Sequence, residues 1–160
     1  MGLNFDGFPH FKDNVASRMS ADDRERAAYW SDPARMKADP KQATTEIIRA
    51  RMPGYFFDRA KSLLVSQPMK ASDFDFDMGE WVFRDIEARS LDLAKMAPAF
   101  SGPVLVLHGR QDPTGESAPL ALQRYYRNSR LVFVEQCGHY SWVEQPDKVL
   151  AEVSGFLSSK

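Results

Sequence analysis

The chain has 160 residues, 43% of them hydrophobic, which suits a single domain with a real core and argues against disorder. Its 21 Lys and Arg against 22 Asp and Glu leave a net charge of -1, so there is no long-range field to concentrate nucleic acid or an anionic membrane. No apolar run approaches the roughly 20 residues needed to cross a bilayer, MGLNFDGFPH lacks the basic and apolar parts of a secretion signal, and the one cysteine, Cys137, cannot form an intrachain disulfide. A cytoplasmic protein is the expectation.

Over residues 20–99 the signals are helical. Ser20 with Asp23 resembles a capping box ahead of ADDRERAAYW, residues 31–33 open a short helix, and Asp39-Pro40 supplies an N-cap and a pre-shaped first turn for KQATTEIIRAR. Pro53-Gly54 should end that helix. YFFDRAKSLLVS and GEWVFRDIEARSLDLAKM continue the pattern, separated by the turn-prone QPMKASDFDFD. Residues 1–100 therefore read as a helical region, either a lid that covers a substrate or an ordinary helical subdomain.

The character changes at Gly102-Pro103. Val104-Leu105-Val106-Leu107 and Leu131-Val132-Phe133-Val134 are short runs apolar on both faces, the pattern of parallel strands buried on both sides. SAPLALQRYYRN between them fits a crossover helix. After Pro146, Val149, Val153, Phe156 and Leu157 make one apolar stripe that should pack on the sheet.

In parallel sheets, functional groups collect beyond the carboxyl ends of the strands. One such loop is His108-Gly109-Arg110-Gln111-Asp112-Pro113 and the other is Gln136-Cys137-Gly138-His139-Tyr140. With neighbouring strands about 4.8 Å apart, Asp112 and His139 can reach one place, the carboxylate accepting the imidazole Nδ1–H and fixing its tautomer.

PVLVLHGRQDP, a spacer over residues 114–128, SRLVFVEQCGHYSWVEQP and a terminal amphipathic helix together resemble the end of the α/β-hydrolase fold. FKDNVASRMSADDRERAAYWSDP and RARMPGYFFDRAKS are similar to the lid of hydrolases related to proline iminopeptidases. The resemblance implies an α/β fold class: a partial α/β-hydrolase with a helical lid over residues 1–100, then a strand-helix-strand-helix unit with parallel strands over 101–160. It also implies that Asp112 and His139 are the acid and histidine of a triad for ester, amide or peptide hydrolysis, with no cofactor. If the iminopeptidase kinship holds, Glu80 or Asp85, beside Trp81 and Phe83, would hold a substrate's amino group.

The sequence also departs from that pattern. No serine sits in a Gly-x-Ser-x-Gly elbow; Ser154 in EVSGF has Glu152 and Phe156 where the glycines belong, and no strand precedes it. The nucleophile, Ser or Asp, is expected outside this sequence, so the chain alone should be inactive. The rival reading is a non-catalytic or partner-dependent fragment that binds a complementary N-terminal chain or self-associates.

Other assignments of these residues are weaker. Glu116 could replace Asp112, but it stands where a carboxylate serves the dipole of the crossover helix. Cys137 as nucleophile is disfavoured, because a residue so near a buried strand end should point into the core. A metal held by His108, Asp112 and His139 lacks any ligand pair at helical spacing. Trp30, Phe56, Phe57, Trp81 and Phe83 could line an apolar pocket, though most should belong to the core of the helical region.

Overall fold

The structure is a computed structural model that describes residues 10–89 and 93–159. It is mixed α/β and mostly helical, with two parallel strands in one sheet.

Among the described residues, six α-helices precede residue 89: α1 (Phe11–Arg18), α2 (Ala21–Trp30), α3 (Pro33–Ala38), α4 (Pro40–Arg51), α5 (Arg59–Ser66) and α6 (Phe76–Ala88). The starts of α2, α3, α4 and α5 are set by side-chain caps. Ser20 Oγ accepts from Asp23 N while Asp23 Oδ2 accepts from Ser20 N, a complete capping box. Asp32, Asp39 and Asp58 cap α3, α4 and α5, the first two with a proline directly after the cap.

Helices α2 and α4 pack along each other through small residues, Ala27 from one and Ala43 and Ala50 from the other, all buried. The core of this region joins Val15, Met19, Ala27 and Ala50, with Phe11 and Tyr55 against it. Ion pairs tie the helices at the surface: Arg26 of α2 with Glu46 of α4, and Arg59 of α5 with Asp23 of α2.

Several boundaries differ from expectation. The helix expected from Tyr55 begins at Arg59, because a 3-10 turn over Met52–Tyr55 follows α4 and the Asp58 side chain stops the chain short of α5. The helix expected over residues 79–96 starts earlier, at Phe76, where the Asp75 carboxylate accepts from Met78 N. It ends at Ala88, and α7 (Leu93–Met96) follows; residues 90–92 and the Phe83 side chain lie outside the described residues.

The second part runs β1 (Val104–Gly109), α8 (Ser117–Tyr125), β2 (Ser129–Val134), α9 (Ser141–Glu144) and α10 (Pro146–Ser158). The strands pair parallel in the register Val104 with Ser129 through Gly109 with Val134. Val149, Val153 and Phe156 of α10 are half-buried while Leu157 is exposed, so the stripe is shorter than the sequence pattern implies.

The strands are also less buried than two apolar faces predict. Only Val106 and Gly109 of β1 and Val134 of β2 are buried. An open apolar trough of 660 Å³ runs beside β1, lined among others by Phe100, Leu105, Leu107, Leu122 and Tyr126.

Candidate active site

The two loops that leave the sheet are joined backbone to backbone. Beyond β1, Arg110 N donates to Val134 O and Gln111 N to Cys137 O, each 2.8 Å, so the pairing continues past the strand ends. The Gln111 side chain returns the contact, its Oε1 accepting from Cys137 N at 2.9 Å. Tight turns follow on both sides. Asp112 N donates back to Gly109 O, Gly115 takes a φ of 78°, and Gln136 takes a φ of 52°, a left-handed conformation unusual for a side chain beyond glycine. Gln145 Nε2 donates to the Gln136 carbonyl and steadies that turn.

This arrangement brings the sequence-predicted pair together. His139 Nδ1 lies 2.8 Å from Asp112 Oδ2. The other carboxylate oxygen, Oδ1, accepts from Thr114 N at 2.8 Å and Thr114 Oγ1 at 2.7 Å, which fixes the plane of the carboxylate. Asn14 Nδ2 of α1 donates to Pro113 O and holds the same loop from outside. Burial pushes the Asp112 carboxyl up, but the hydrogen bonds from His139 and Thr114 outweigh it and hold the group below its ordinary range. His139 is shifted up, first by its hydrogen bond to Asp112.

An ionised carboxylate only accepts, so Nδ1 of His139 carries the proton and, in the neutral ring, Nε2 is left with its lone pair. The Asp112 side chain is 7% exposed and that of His139 43%, so the carboxylate is sealed in and the imidazole faces outward. Beside the ring lies a cavity of 330 Å³, with Leu107, His108, Leu122, Ser141 and Trp142 among its lining. Burial pushes His108 down and favours its neutral form; its Nε2 is buried with no hydrogen-bond partner.

The other candidates fall elsewhere. Glu116 is the N-cap residue of α8, at the helix start as expected, and its carboxylate pairs with Arg110, which also bridges to Glu135. Glu80, Trp81 and Asp85 lie on α6, Glu80 paired with Arg84 and Asp85 with Arg89, and none of the three lines the cavity beside His139. Trp81 is 59% exposed. Phe56 is buried, stacked on Tyr140 with ring centroids 4.7 Å apart, whereas Phe57 is exposed and Trp30 is half-buried against Tyr29.

Cys137 is fully buried, and burial pushes its thiol up to about 12, with Glu144 and Asp112 adding to the effect. It is a poor nucleophile in that state. Ser154 is exposed within α10. Among the described residues, no serine hydroxyl hydrogen-bonds the His139 imidazole, and no cluster of three or more His, Cys, Asp or Glu could hold a metal ion.

Glu144, Tyr55 and Thr114 also contact the site, and sequence reasoning missed all three. A glutamate in SWVEQP reads as a surface residue before a helix, yet Glu144 is 2% exposed. The only hint is its place between apolar Trp142-Val143 and the Pro146 helix start, on a turn too short to face solvent throughout.

No protein-family model, curated protein or solved structure matches the chain. Among the described residues no helix is long and apolar enough to cross a membrane.

Proposed function

We propose that this chain is the acid-and-histidine portion of an α/β-hydrolase that cleaves an ester, amide or peptide bond, working with a nucleophile that the sequence does not contain. One observation carries the reading: Asp112 and His139 are 2.8 Å apart beyond the carboxyl ends of adjacent parallel strands, with the imidazole open to a cavity. In the completed site, His139 Nε2 would take the proton of a serine hydroxyl as it attacks the carbonyl, then return that proton to the leaving group. Asp112 would hold the ring in the needed tautomer and stabilise the imidazolium. With an aspartate nucleophile instead, the carboxylate would attack an alkyl carbon, expelling halide or opening an epoxide to leave an aspartyl ester of the substrate, and the same nitrogen would activate the water that hydrolyses that ester. The helical region would act as the lid, and no cofactor takes part.

The test is reconstitution. The purified chain, mixed with the N-terminal half of an α/β-hydrolase bearing a Gly-x-Ser-x-Gly elbow, should hydrolyse a panel of esters, anilides and dipeptides, and His139→Ala should remove that turnover. Either half alone should stay at the buffer rate. Robust turnover by this chain alone, lost in His139→Ala, would place the nucleophile inside it; failure of every complementing half would count against the hydrolase reading.

A second reading, a partner-dependent interaction fragment, draws on β1. Val104 N donates to Asn128 O and Arg110 N to Val134 O, so the alternate residues between them turn their backbone groups to β2. The backbone groups of Leu105 and Leu107 then face the other edge, beside the apolar trough. Such an edge accepts an added strand. A complementary hydrolase chain is the occupant proposed here, and self-association is the outcome that would replace it.

A further inference from the structure

Glu144 ends α9, five positions beyond His139, and only 2% of it is exposed. A carboxylate at that depth is tolerable only with donors around it, and it has three, all of them backbone N–H groups. Its Oε1 accepts from Phe57 N and Asp58 N, each at 2.8 Å, and its Oε2 from Gly138 N at 2.6 Å. The first two donors belong to the bend that leads into α5. The third is the residue directly before His139.

Two more contacts cross the same seam. His139 N donates to Tyr55 O at 2.7 Å, and Lys61 Nζ of α5 donates to the Glu144 carbonyl at 2.6 Å. The backbones touch: a Cβ on Gly138 would lie 2.2 Å from Tyr55 O. The sheet delivers His139 to the neighbourhood of Asp112, but the peptide on its N-terminal side is held by Glu144 and by the bend at residues 55–58.

We propose that Glu144 is a positioning residue which fastens the histidine loop to the bend of the helical region, so that the Asp112–His139 alignment depends on that region being docked. The proposal deepens the hydrolase reading and rests on it. Glu144→Gln separates the two halves of the clasp. A neutral amide has one acceptor oxygen, so it can serve the Phe57 and Asp58 donors or the Gly138 donor, while its NH2 meets an N–H on the other side.

The experiment is NMR on the full chain, following amide exchange at Phe57, Asp58 and Gly138 and the titration of the His139 ring, assigned with His139→Gln. In the wild type the three amides should exchange together, as one opening unit. In Glu144→Gln, exchange should quicken about tenfold or more on the abandoned side, as expected for loss of a hydrogen bond to a charged group, and the His139 midpoint should move down towards the ordinary imidazole value. Arg59→Ala, which loosens α5 from α2 without touching the clasp, should leave both readouts in place. Unchanged Gly138 exchange and an unchanged His139 midpoint in Glu144→Gln would overturn the proposal.

Should Glu144→Gln fail to fold, the wild type still decides. Phe57 and Asp58 exchanging ten times faster than Gly138 would mean that the bend detaches without the histidine loop, against the proposal; matched rates would support it. Asp112→Asn keeps the two ideas apart: a His139 midpoint indifferent to Asp112→Asn removes the catalytic pair, while the Gly138 amide still reports on Glu144.

Discussion

A Cβ on Gly109 would sit 2.0 Å from the carbonyl oxygen of Gly138, so the loops that carry Asp112 and His139 meet backbone against backbone at their bases. Gly109→Ala must therefore push the loops apart or bend β1 at its end. The expected cost is about 1–3 kcal/mol, as for overpacking a filled interior, with a weakened Asp112–His139 contact. Gly155→Ala is the control: its Cβ meets nothing within 4 Å on α10, so it should stabilise by roughly 0.5–1 kcal/mol. Urea denaturation of both variants checks the pair, and equal midpoints would show that the loop bases yield easily.

The pH dependence follows from the two shifts. His139 is raised above its ordinary 6.5, first by the hydrogen bond to Asp112, so its contribution to stability is fully present below about pH 6.5 and fades as pH rises through the raised value. Asp112 is lowered below 3.8 despite burial, so its contribution is present above about pH 4 and fades as pH falls through the lowered value. The wild type should thus exceed Asp112→Asn in stability most between about pH 4 and 6.5. Denaturation at pH 5 and pH 9 measures this, and an advantage that grows towards pH 9 would contradict it. In a reconstituted hydrolase the rate should rise with pH as His139 loses its proton, with a midpoint above 6.5.

Cys137 should resist thiol reagents in the native chain, because it is buried and its thiol is pushed up to about 12. Labelling at pH 8 should be slow in buffer and fast in guanidinium. Native labelling at the unfolded rate would mean that the histidine loop opens freely.

At the sheet edge, Leu105→Lys should reduce association of the chain with itself or with a complementing fragment, since a charge placed beside the open backbone groups of β1 opposes strand addition. Sedimentation velocity over a concentration series reads the effect. A wild type that stays monomeric, unfolds cooperatively and ignores the fragment would show that the trough needs no cover.

Helix starts were the most legible part of the sequence, because Ser20, Asp32 and Asp39 cap through contacts within four residues. The β1 and β2 runs and the meeting of Asp112 with His139 were legible for a different reason: parallel pairing puts the residues after both strands at one end. Burial was not. Four apolar residues in a row say that a strand can be covered on both faces, not that anything covers it, and β1 keeps an open trough. Glu144 was invisible because its partners are main-chain donors from Phe57 and Asp58, which every residue type offers alike. The α5 start was misplaced for a similar reason, since the 3-10 turn at Met52–Tyr55 is held by Val15 against Gly54, a contact remote in sequence.

The clasp at Glu144 also bears on the order of folding. Its bonds to Phe57 and Asp58 span 87 and 86 residues of chain, whereas the α2 and α4 pairing and its Arg26–Glu46 bridge span only 20. Closing the longer loop costs more entropy and must wait until both ends have structure to offer. In refolding, helical signal should therefore return first, and the environment of His139 last, in a separate slower phase. A mutation that hinders that final docking would leave a chain with normal helicity and an unformed site, so far-ultraviolet circular dichroism alone would pass it as native.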